Sequence, residues 1–256
     1  MPTASPETEA SLLRRAASFL LALAFIAGLF TFAFSTVGYH WHWSGVWVYR
    51  DLFVRGWLVT LLLSAISLVV SSLIGIILAL LRRTPFLPLR YLARIYVEVI
   101  RGTPLLVQLI IFFYVVATAF GIDNRYLVGV LVLSVFSGAY ISEVIRSGIE
   151  SVGKSQLDSA RAIGLTTVQT YRYVIFPQAI RQILPPLAGQ FASLIKDSSL
   201  LSVVGISEFT LNTQNVNSYT NSPFESYIPL AIGYLLLTLP ISLWTQSLER
   251  RNRFET

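Results

Sequence analysis

Six runs of mainly apolar residues, at 16–37, 56–81, 103–120, 126–149, 180–204 and 227–248, decide what this chain can become. A hydrocarbon core about 30 Å thick is crossed by roughly 20 apolar residues in an α-helix. Inside lipid every backbone N–H and C=O must find a partner within the protein, and runs of this length do so as helices. The fold class that follows is all-α and integral to the membrane, with six transmembrane helices. Only 12% of the 256 residues are charged, against 54% hydrophobic, about half the charged share of soluble domains. The first run could pass for a secretory signal because Arg14 and Arg15 precede it. Its apolar length exceeds the ~7–15 residues of a signal core, so it reads as an uncleaved helix.

The net charge of +6 is an orientation signal and not a nucleic-acid footprint, because the basic residues fall between the runs. Arg14 and Arg15, the loop holding Arg82, Arg83, Arg90 and Arg94 (broken by Pro85 and Pro88), the stretch around Arg161 and the basic end at 250–253 alternate with loops poor in positive charge, such as those holding Arg50 and Arg125. Cytoplasmic loops carry the excess of Lys and Arg, so both termini are expected in the cytoplasm. Residues 1–15 read as a mobile cytoplasmic tail, and 205–226, without Lys or Arg, as an external loop. The absence of cysteine excludes disulfides, thiol catalysis and Cys-ligated metals. The two histidines, His40 and His42, lie among Tyr39, Trp41, Trp43 and Trp47. An H-x-H metal site would need further ligands in reach. An aromatic belt at the lipid boundary needs none, so no metal site is expected, and no Ser/His/Asp constellation is available for catalysis.

Within the runs, polar residues fall into two kinds. Ser64, Ser67, Ser71, Gly75 and Ala79 repeat at helical spacing, a stripe of small residues that lets helices approach closely. Glu98 and Arg101 stand three apart and can pair. Glu143 lies inside the fourth run, where an ionisable group is costly enough to be functional by default; it belongs either to a solute pathway or to a pair with Arg146. The fifth run is interrupted by Pro185 and Pro186 and then by Lys196, Asp197, Ser198 and Ser199. Lys196 is ~20 Å along a helix that starts at Arg181. Adjacent residues do not face each other on a helix, so Lys196 and Asp197 are read as lining a hydrated pathway.

Residues 154–177 form a charged island between two apolar runs. Leu157, Ala160 and Ile163 recur at three-residue spacing; Gly164 can end a helix in the left-handed conformation. Thr166 and Gln169 form a capping box that starts a second helix running toward Pro177. The product is a helix–turn–helix elbow whose apolar stripe is too small for a core and suits a groove on a partner. Residues 148–155 fit the pattern G-x-x-x-x-G-K-[ST] letter for letter. That chemistry needs a strand before the loop and a soluble α/β fold around it; here a membrane run precedes it, and ATP binding by this chain is not expected.

The order Asp158-Ser159-Ala160, Gly164, Ile175-Phe176-Pro177 resembles the "EAA…G…I-LP" loop of ABC importer membrane subunits, departing in its first two letters. RGTPLLVQ (101–108), GAYISEVIRSGI (138–149) and LIKDSSLLSVVGISEFT (194–210) resemble strings of the polar amino-acid subgroup. The resemblance implies a type I ABC importer membrane domain over 51–251, a five-helix core to which 16–50 adds one N-terminal helix and an external aromatic segment. It implies a cytoplasmic coupling loop at 152–172, with Gln156, Leu157, Asp158, Ser159, Ala160, Arg161, Ile163, Gly164 and Leu165 meeting an ATPase. It places Lys196, Asp197, Ser198 and Ser199 on the substrate route. It also implies a second membrane subunit, identical or paralogous, two ATP-binding subunits and an external solute-binding protein, in a bacterial cytoplasmic (inner) membrane. ATP and Mg would be bound by the partner ATPase and no cofactor by this chain, which would be a transporter and not an enzyme. An ATP-independent carrier or channel for small polar solutes is the alternative.

Overall fold

A computed structural model describes the backbone of residues 6–252 and the side chains of residue 14 and residues 16–249. It forms two compact units, residues 1–42 and 43–256. The first is one helix, α1 (Pro6–Val37), whose Ala16–Val37 part is long and apolar enough to cross a membrane. The expected tail is thus helical from Pro6 onward, because proline costs a helix nothing at its first position. Residues 1–5, and Arg253 of the basic end, lie outside the described residues.

In the second unit, α2 (Trp43–Val48) leads into α3 (Arg50–Leu81). Next come α4 (Leu87–Gly102) and α5 (Leu105–Ile111), which continues through a π-turn (Phe112–Val116) into α6 (Ala117–Ala119). After α7 (Arg125–Glu150), α8 (Lys154–Ala162) and α9 (Thr167–Thr170), a second π-turn (Tyr171–Ile175) passes into α10 (Phe176–Asp197). A 3-10 stretch (Ser198–Val204), α11 (Phe209–Thr220) and α12 (Pro223–Asn252) complete the chain. No strand occurs among the described residues. The helices α3, α7 and α12 are also apolar and long enough to span. The chain is all-α and consistent with six spans, α10 being the least apolar because of its prolines, glutamines and Lys196-Asp197.

The axis of the unit is the α3–α7 pair, and the small-residue stripe builds it. Ser64, Ser67, Ser71, Gly75 and Ala79 are all buried. A Cβ on Gly75 would stand 2.6 Å from Ile141 Cγ2, and one on Gly138 would stand 2.6 Å from Ile74 Cγ2. Each glycine therefore receives the other helix's isoleucine. Ser67 Oγ donates to Val130 O at 3.5 Å and Ser134 Oγ to Ser67 O at 3.4 Å, long bonds that add little beyond contact. Gly138→Leu should overpack this seam at a cost of about 1–3 kcal/mol or more. Loss of monodisperse protein in detergent gel filtration would register it; an unchanged profile would refute the close approach.

Three expectations change. The third run begins close to residue 103, at Leu105, but the loop before it is not open chain: it is already helical as α4, which meets α5 at a bend of 110°. Thr103, before Pro104, is extended (φ −122, ψ 146), as a residue preceding proline must be. The carbonyls freed at the break are taken by Gln108, whose Nε2 lies 2.7 Å from Ile100 O, 3.1 Å from Thr103 O and 2.8 Å from Thr103 Oγ1. Pro185 and Pro186 do not interrupt the fifth run, since α10 passes through both. Pro177 is absorbed by the wide turn before it, in which Phe176 N donates to Tyr171 O. The expected external loop contains α11, capped by the Glu208 side chain at its start and ended at Asn221 with φ 49.

Candidate functional site

The elbow folds as its local sequence dictates. Gly164 has φ +81, and Leu165 N donates to Ala160 O at 3.0 Å and Gly164 N to Arg161 O at 3.0 Å, the paired bonds of a glycine-ended helix. The capping box closes in both directions: Gln169 N to Thr166 Oγ1 at 3.3 Å and Thr166 N to Gln169 Oε1 at 2.8 Å. The Gln178 side chain, bonded to Gln156 Oε1 and to Val174 O, ties α8 to α10.

The apolar stripe does not face one way. Ala160 is buried, and Leu157 packs on Val152, Ile175 and Ala179 of its own chain. Ile163 is 76% exposed, as is Val168 at 75%. Three residues fall short of a full turn by about 60°, so from 157 to 163 the stripe rotates by roughly 120°. The outward surface is therefore Asp158, Ser159, Arg161, Ile163 and Gly164, with Val168 beside them; Leu165 is half-buried. Asp158 and Arg161 form an exposed ion pair at 3.5 Å, a contact worth little in water.

The pathway candidates separate. Lys196 is exposed at the last turn of α10 and Asp197 is half-buried; neither belongs to an ion pair among the described residues. Ser198 is buried with its Oγ turned back onto Ile195 O at 2.7 Å, while Ser199 is half-buried and its carbonyl accepts from Ser202 Oγ at 2.6 Å. Glu143 is engaged elsewhere. Arg82 Nη1 lies 2.8 Å and Arg101 Nη1 3.6 Å from Glu143 Oε2, and Arg146 binds Oε1 and also Glu150. Arg101, which the sequence paired with Glu98, also stacks its guanidinium over Tyr140 at 5.5 Å. Glu143 thus joins the ends of α3 and α4 to α7.

Sequence reasoning missed a second carboxylate. Glu208 is fully buried and accepts from Thr210 N (2.9 Å), Leu211 N (2.8 Å), Thr60 Oγ1 (3.3 Å) and Tyr234 Oη (3.1 Å). Burial pushes its carboxyl above the usual carboxylate range, against the pull of those four donors. The available signal was an acid directly before Phe209-Thr210-Leu211, an N-cap position.

Residues 148–155 do not form a phosphate cradle. Residues 148–150 belong to α7, and a Cβ on Gly148 would lie 2.4 Å from Ile183 Cγ1, so this glycine serves helix packing. A helix, not a strand, precedes the turn, and these residues do not fit a nucleotide.

A family profile described as the binding-protein-dependent transport system inner membrane component matches residues 71–254. The chain belongs to this family. It is a multi-pass membrane permease subunit, a transporter component and not an enzyme, and the carrier or channel alternative is not favoured. Permeases of this family work with a partner membrane subunit and ATPase subunits. The chain is 38% identical over 201 residues to the probable glutamine ABC transporter permease protein GlnM of Bacillus subtilis, covering 78% of this chain and 93% of that one. It is 34% identical over 212 residues to the glutamine transport system permease protein GlnP of Escherichia coli, covering 82% and 96%. Among solved structures, an amino acid ABC transporter with histidines aligns with TM-score 0.78 and 37% identity, over 83% of this chain and all of that one. An inward-facing MetNI methionine ABC transporter aligns with TM-score 0.65 at 17% identity, a likeness of fold alone.

Proposed function

We propose that this permease subunit of an ATP-driven ABC importer carries a polar amino acid, glutamine being the first to test, and that it supplies half of the route. Residues 51–251 are the importer domain, 16–50 an added helix with its aromatic segment, and 152–172 the coupling loop. The partners are a second membrane chain, identical or paralogous, two cytoplasmic ATPase subunits that bind the ATP and Mg, and an external solute-binding protein. Both termini face the cytoplasm of a bacterial inner membrane, following the basic loops.

The observation that carries this reading is a single unbroken helical path. From α9 through the π-turn to the end of α10 the chain stays helical, about 45 Å at 1.5 Å per residue. One end carries the outward face around Ile163 and Val168; the other carries Lys196 and Asp197. Movement of an ATPase at the elbow is thereby delivered to the charged end of α10 as the displacement of one rod. Lys196, exposed and without an ion-pair partner among the described residues, meets the carboxylate of the solute, and Asp197 its ammonium; Ser199 borders them, while Ser198 shapes the helix end.

In membranes holding the full transporter, Lys196→Ala should lower uptake of labelled glutamine at least about tenfold, the value of one charge-assisted hydrogen bond, with binding-protein docking and basal ATP hydrolysis retained. Normal uptake by this variant would remove Lys196 from the route. Recovery of the functional chain without a co-purifying ATPase would remove the importer reading itself.

A further inference from the structure

A groove of about 450 Å³ lies between α3, α7 and α10 at the end where the elbow attaches. Its walls are almost entirely apolar, with Ile76, Leu80, Ile145, Ile149, Ile180 and Ile183 among them, and Arg83 and Tyr171 are its polar members. The wall residues Ile76, Leu80 and Ile180 are 48%, 66% and 47% exposed, so the groove is open along its side. Arg83 stands just beyond α3, seven positions after Ile76, roughly 10 Å of helix directed into the hydrocarbon layer.

Among the described residues no carboxylate pairs with the charge at the mouth. Arg82, Arg101 and Arg146 all converge on Glu143, and Arg90 is held by Thr84 O at 2.9 and 2.6 Å. Arg83 instead donates to Tyr171 Oη at 3.1 Å, and among the described residues it has no acidic partner. A fixed guanidinium suits a phosphate, which it can bind through two parallel hydrogen bonds. Below it, a side-open apolar groove inside a membrane span is filled by hydrocarbon and not by water. Phosphate above hydrocarbon at the membrane interface describes one molecule, and basic pockets between membrane helices take anionic lipid headgroups.

We propose that this groove binds one anionic phospholipid of the cytoplasmic leaflet, its phosphate on Arg83 and an acyl chain along Ile76, Ile145 and Ile180. Tyr171 lies in the π-turn through which the elbow enters α10, so the lipid joins the end of α3 to the moving rod. The choice of leaflet rests on the topology proposed above; the site does not.

The test uses the full chain with its partner subunits in phosphatidylcholine vesicles containing a phosphatidylglycerol with a photoreactive diazirine in its acyl chain. Illumination should label peptides covering 76–83 and 176–183, and unlabelled phosphatidylglycerol, but not added phosphatidylcholine, should compete. Arg83→Gln should reduce labelling about fivefold, the effect of one basic residue near the surface. Ile180→Trp should reduce it by filling the groove, and Arg94→Gln, on α4, should leave it unchanged. Equal labelling in all variants, or labelling indifferent to headgroup, overturns the site. So does a peptide cross-link from Ile180→Cys, informative because the chain has no native cysteine, since it would reveal a protein occupant. The probe enters both leaflets, so a wrong orientation and a missing site fail separately.

Discussion

Ile163→Asp should abolish coupled uptake while leaving a folded, membrane-inserted chain. Ile163 is 76% exposed and sits just past the end of α8, with Val168 similarly free across the turn. A surface substitution there costs the fold within about 0.5 kcal/mol. Buried in a groove on an ATPase, the same carboxylate would lose its water without gaining a partner, at more than the about 2–7 kcal/mol that an unpaired neutral polar group costs. Uptake and transport-stimulated ATP hydrolysis in proteoliposomes should therefore both fall by more than about tenfold, and less ATPase should co-purify. Gly164→Val reaches the same loss by another cause. At φ +81 a β-branched side chain is strained by about 1–3 kcal/mol, which unmakes the Leu165-to-Ala160 bond and re-aims α9. Ala160→Ser, which keeps a small residue on the buried side, should be nearly silent. Full uptake by Ile163→Asp would move the ATPase contact away from this turn.

What could be read from the sequence was local. The capping box at Thr166 and Gln169 and the left-handed Gly164 each involve residues within one turn, and the stripe from Ser64 to Ala79 needs only helical spacing. Failures came where the deciding partner is distant or the rule was borrowed from water. Besides the foreseen Arg146, Glu143 takes an ion pair from Arg82, 61 residues earlier, which no periodicity reveals. The prolines of α10 read as breaks by a rule for soluble helices, whereas membrane helices tolerate them beside neighbours that re-satisfy the backbone. The elbow stripe failed by arithmetic, since three-residue spacing drifts around the helix. The helix α4 hid behind Pro85, Pro88 and its arginines, although Ala93, Val97 and Ile100, its buried face, already stood at four and three residues. Polar composition concealed α11, whose one strong signal was the acid before it.

That acid should be the most sensitive single position outside the spans. Glu208→Ala leaves two backbone N–H groups and the Thr60 hydroxyl without their acceptor, and Tyr234 Oη with Thr210 Oγ1 in reach, at a fully buried site. Loss of the cap costs about 1 kcal/mol, and buried orphan donors add about 1–3 kcal/mol. Because Thr60 belongs to α3 and Tyr234 to α12, the damage extends beyond α11 to the joint between two spans. Glu208→Gln keeps one acceptor and should cost less, and it separates charge from hydrogen bonding through pH. With the carboxyl raised in the fold, the folded chain binds more protons than the unfolded one between the ordinary carboxylate range and the raised value. Stability is thus fullest below the ordinary range and falls as pH rises through that window. In detergent, the midpoint of thermal unfolding of the unaltered chain should decline across it, while that of Glu208→Gln stays level. Parallel slopes for the two would show that Glu208 is already ionised in the fold and that its four donors, not its proton, hold α3, α11 and α12 together.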